Sequence, residues 1–131
     1  MQRHIILLPM RGSPRILPAA SASSLVAQIE DLVGGHFVAT PAVEWLGDRH
    51  HLAVLARAMV GTETNANTLA GRVLGVPMHG PCVLARRPDD DRSFFREERP
   101  GDRRAVPFET QQARAVLSAL GSEIEGMHHA S

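Results

Sequence analysis

Gly34 and Gly35 separate two different hydrophobic periods, and that separation limits what this chain can fold into. Ahead of the pair, Leu25, Val26, Ile29, Leu32 and Val33 recur at the spacing that gathers side chains on one stripe of an α-helix. Ser21, Ser23 and Ser24 stand before the stripe as N-cap candidates, and the glycines supply the left-handed backbone on which a helix stops. Beyond the pair, Phe37, Ala39, Val43 and Trp45 occupy alternate positions, the period of two of a half-buried strand. Pro41 cannot donate to a β-ladder and marks a bulge, break or edge there.

The same two signatures recur along the chain. His4 to Pro9, HIILLP, is an aliphatic run closed by proline and reads as a strand buried on both faces. Gly12 and Pro14 turn the chain, and RILP, Arg15 to Pro18, returns as an edge-like strand. A Gly47-Asp48 turn followed by Leu52 to Leu55 completes a β-hairpin. The residues through LARAMV also suit a helix, and strand is the preferred reading. Ala66, Leu69, Ala70, Val73 and Leu74 form a second helical stripe, ended by Gly75 and Pro77. GPCVLAR, Gly80 to Arg86, is a further short strand with Cys82 and Leu84 on one face. Ala113, Val116, Leu117 and Leu120 make a third stripe, with start signals at Pro107 to Thr110 and Gly121 as the expected stop.

At 131 residues the chain suits one domain with its own core. Residues 1–122 are expected to form it, with 87–106 as a charged exposed loop or hairpin and 123–131 as a frayed tail. Aromatic residues are only 4%, so the core is expected to consist of Leu, Val, Ala, Ile and Met. Fourteen arginines balance fourteen acidic residues, which leaves no net field to attract nucleic acid or an anionic membrane. The segment from Arg86 to Arg104 concentrates seven of those arginines with six acidic residues. Its basic pairs and Phe94-Phe95 would suit a nucleic acid, but Asp89-Asp90-Asp91 and Glu97-Glu98 would repel phosphate, so a solvated segment is expected. No apolar stretch approaches the ~20 residues of a membrane span, and Ile5 to Leu8 is too short for a signal-peptide core. A cytoplasmic protein is the expectation.

Few residues here are arranged for chemistry. His50-His51 would point to opposite faces of a strand, and no pair of histidines has metal-binding spacing, so no metal or other cofactor is expected. Cys82, the single cysteine, lies within an apolar run, with His79 as the nearest candidate base. The paired carboxylates Glu30-Asp31 and Glu97-Glu98 have no apolar pocket implied around them. GTETNANT, Gly61 to Thr68, is more informative because it holds both asparagines of the chain, Asn65 and Asn67. Such residues ahead of a helix cap its free N–H groups, and the same geometry could hold an anion or polar ligand. Thr64, Asn65 or Asn67 is the expected cap, and Asn67→Ala is expected to cost about 1 kcal/mol.

In order, HIILLP, the turn and short return, IEDLVGGHFVAT, a hairpin, NTLAG (Asn67 to Gly71) and GPCVLA (Gly80 to Ala85) resemble a family of small bacterial and phage proteins catalogued as a domain of unknown function. The resemblance spans about residues 4–86. That family carries an acidic, glycine-containing segment where this chain has HLAVLARAMVG. The resemblance implies a compact α+β sheet domain and an association with mobile elements. It implies no reaction, so it transfers no catalytic residue.

The expected fold is α+β, a mostly antiparallel sheet of about four to five strands with two or three helices on one face. The expected function is a non-enzymatic accessory or protein-interaction domain, encoded by a phage, plasmid or other mobile element and acting on a host factor. The alternative is a pocket for a nucleotide or other small polar ligand, built from Thr62, Thr64, Asn65, Asn67 and Arg72. A third reading, a hydrolase, needs His51, Glu63 or Cys82 to converge in a cleft.

Overall fold

The structure, a computed structural model, describes residues 3–10, 12–21, 23–41, 52–57, 66–75, 78–86 and 106–129. In chain order these form β1 (Arg3–Leu8), β2 (Arg15–Pro18), α1 (Leu25–Val33), β3 (Phe37–Pro41), β4 (Leu52–Arg57), α2 (Thr68–Leu74), β5 (Cys82–Arg86), β6 (Phe108–Glu109) and α3 (Thr110–His129). The strands make one sheet in the order β2-β1-β5-β4-β3, with β6 pairing β1 off that path. Every ladder among them is antiparallel. The α+β class and the mostly antiparallel sheet stand as the periodicities imply. The region from Leu52 is strand rather than helix, and it pairs with β3 from Phe37↔Arg57 to Pro41↔Ala53. The Gly47-Asp48 turn expected between them lies outside the described residues.

The helices do not share one face of the sheet. Ile6, Leu8, Leu52, Val54, Ala56, Cys82 and Leu84 point toward α2 and α3, which add Leu69, Ala70, Val73, Ala113, Val116 and Leu120. Ile5, Leu55, Val83 and Ala85 point the other way, onto Leu25, Ile29 and Val33 of α1. The cause is legible in the three central strands. Residues 52–56 of β4 and 82–85 of β5 are buried without interruption, and in β1 Ile5, Ile6 and Leu8 are buried with Leu7 partly so. A strand apolar at successive positions has two apolar faces, and each needs cover. Phenylalanine also enters this core, with Phe37 on the α1 side and Phe108 on the other. The outer strands are different. Val38 on β3 remains 53% exposed, and β2 and β3 both end in proline, which limits pairing at a sheet edge.

Helix α1 begins with Ser24 at the N-cap position, but its side chain makes no capping bond. Gln28 instead ties the start of the helix to β2, accepting from Ala20 N at 2.8 Å and donating to Pro18 O at 2.9 Å. At the other end, the N–H groups of Gly34 and Gly35 both donate to Glu30 O, and Gly34 sits at φ 91°. A Cβ at Gly34 would meet nothing within 4 Å, so only backbone strain opposes a side chain there. Gly34→Ala is expected to cost about 1–2 kcal/mol, read as a lowered urea midpoint at unchanged slope.

Helix α3 corrects the expected stop at Gly121. The helix continues through Gly121 to His129. Glycine in a helix costs about 1 kcal/mol in propensity but ends it only where the backbone turns left-handed, and Gly121 does not. Ile124, one turn beyond Leu120, adds further contact with the same apolar cluster. At the far side of the charged segment, Arg86 and Val106 exchange two backbone hydrogen bonds of 2.9 Å, which brings its ends side by side. Residues 87–105 lie outside the described residues. No helix among the described residues is long and apolar enough to cross a membrane.

Candidate functional site

Asn67 lies where α2, β1 and β5 meet, and among the described residues it is the buried polar side chain, 1% exposed. Its extended backbone, φ −108° and ψ 92°, makes it the N-cap of the two-turn helix α2. The side-chain Oδ1 accepts from Ala70 N at 3.0 Å. Its Nδ2 donates to Leu8 O and to Gly80 O, both at 2.9 Å. The backbone is engaged as well: Asn67 N donates to Met78 O, and Asn67 O accepts from Gly71 N. Leu8 closes β1, and Gly80 precedes β5 at φ 74°, so one amide joins a helix start to the ends of two central strands.

The chemistry of these contacts explains the residue type. A cap needs an acceptor, which Ser, Thr, Asp and Asn all provide. Two nearby buried carbonyls need donors, and an ionised Asp has none, while Ser and Thr have one hydroxyl hydrogen. Only an amide combines an acceptor with two donors at this short reach. Both donors of the Asn67 amide are therefore spent inside the fold. A ligand at this helix start would meet the backbone and neighbouring side chains, not that amide.

Beside Asn67 runs an open groove of about 400 Å³. Ala66, Thr68, Gly71, Arg72 and Gly75 form one wall along α2, and Met78 and His79 form the other. Ala66 and His79 are joined by an isolated antiparallel bridge, which holds the walls together at one end. Gly71 and Gly75 are one turn apart and present no side chain to the groove. Arg72, in the last turn of α2, is favourably placed for the helix dipole and is exposed. Of the residues expected to bind a ligand, Asn67 and Arg72 thus line this groove, whereas Thr62, Thr64 and Asn65 lie outside the described residues. Met78 was not singled out by the sequence, and His79 entered only as a base for Cys82. The available signal was the Asn67, Gly71, Gly75 spacing, a small-residue line beside the apolar stripe of α2.

Cys82 is built as a core residue. It is fully buried, and its Sγ donates weakly to Gly80 O at 3.5 Å. Burial raises the thiol to about 11 from an ordinary value of 9.0, so thiolate is scarce near neutrality. His51 and Glu63, its partners in the hydrolase reading, lie outside the described residues. Cys82 is expected to resist a thiol reagent in the native state at pH 8 and to react on addition of denaturant. Rapid native labelling would contradict this burial. The same raised value favours the folded state below pH 9, and that contribution is lost as pH rises from 9 toward 11, because the unfolded chain ionises first.

Another polar contact lies across the sheet. His4 Nε2 is 3.0 Å from Thr110 Oγ1 at the start of α3, while His4 Nδ1 is buried without a partner. Arg3 and Glu109 pair alongside at 3.4 Å, with both side chains substantially exposed. Such a surface pair contributes little, and these contacts serve to seat the β6–α3 junction on β1. Among the described residues, no group of three or more His, Cys, Asp or Glu is placed to hold a metal ion. No protein-family model matches the chain, and neither the curated proteins nor the solved structures provide a match.

Proposed function

We propose that this chain is a non-enzymatic protein-interaction domain and that the groove along α2 is part of its contact surface. The observation that carries this reading is the groove itself, an open depression with a largely apolar lining and polar groups on its walls. Protein interfaces combine an apolar centre with a polar rim and are enriched in Met and Arg, both found here in Met78 and Arg72. The buried Asn67 amide supports the same reading, since it fixes the groove wall from beneath. An origin on a phage, plasmid or other mobile element, with a host factor as the partner, is supported by the family resemblance alone.

The test fills the groove without touching the core. Thr68 is exposed in the first turn of α2, so Thr68→Arg is expected to change stability by no more than about 0.5 kcal/mol. It is expected to abolish capture of the partner that the wild-type domain retains from host lysate. Equal capture by both proteins would remove the groove from the interface. The groove's volume and the Arg72 and His79 on its walls favour a second reading, a small polar ligand. A nucleotide at 100 times its dissociation constant would then add ~2.7 kcal/mol of stability, visible as a thermal shift in the wild type. A nucleotide screen without such a shift would exclude that ligand class.

A further inference from the structure

We draw no further inference here: the strongest candidate, the pairing of His4 on β1 with Thr110 at the first turn of α3, rests on a helix N-terminus with no second observation that points to a ligand.

Discussion

Asn67→Ala is expected to lower the unfolding free energy by about 3–7 kcal/mol, well above the ~1 kcal/mol expected for loss of a helix cap alone. Losing the bond to Ala70 N accounts for the cap contribution. The remainder comes from Leu8 O and Gly80 O, two buried acceptors left without their amide donor at about 1–3 kcal/mol each. Small domains are stable by only ~5–15 kcal/mol, so the variant should unfold at a much lower urea midpoint.

Asn67→Asp separates the two roles. Aspartate caps as well as asparagine, and a pure cap would tolerate the exchange. Here it would aim a carboxylate at two carbonyl oxygens, so a loss comparable to that of the alanine variant is expected at pH 7. That burial raises the folded-state pKa of the introduced carboxyl above the unfolded value of about 3.9. The deficit should therefore be smaller near pH 4 and grow as pH rises. A pH-independent Asn67→Asp variant as stable as wild type would show that the two donated bonds contribute nothing.

Phe108→Ala is the other large effect, expected to cost about 3–5 kcal/mol in equilibrium unfolding. Phe108 is fully buried on the two-residue strand β6, opposite His4 of β1, and belongs to the cluster that α2 and α3 cover. Truncation would remove its ring from the junction where α3 begins and leave a cavity among aliphatic side chains. Phe108→Leu keeps most of the volume and is expected to cost about 1–2 kcal/mol. Similar losses for the two variants would mean that the site collapses around a smaller side chain instead of keeping the cavity.

Much of the element pattern was legible because its causes are local. Helix α1 follows from a five-residue stripe and the left-handed Gly34, and α2 ends at Gly75 by the same means. The strand at Leu52 was harder, since its residues also suit a helix. Its pairing with both β3 and β5 resolved the choice, and no property of LAVLAR by itself could have done so. Gly121 misled because a helix stop depends on the backbone angle adopted, which the residue permits but does not impose. The candidate site was half legible. The cap position of Asn67 follows from its neighbours, but its two donated bonds do not.

The sequence by itself determined where the helices and most strands lie, and that Ile5 to Leu8, Leu52 to Leu55 and Cys82 to Ala85 are unbroken apolar runs. Those properties arise from side-chain periods and turn residues within a few positions of one another. Tertiary structure alone decided how the helices divide between the two faces and what Asn67 does. Its bond to Leu8 O links residues 59 positions apart. An amide records that it can donate twice, but which carbonyls lie within reach depends on how distant strands assemble.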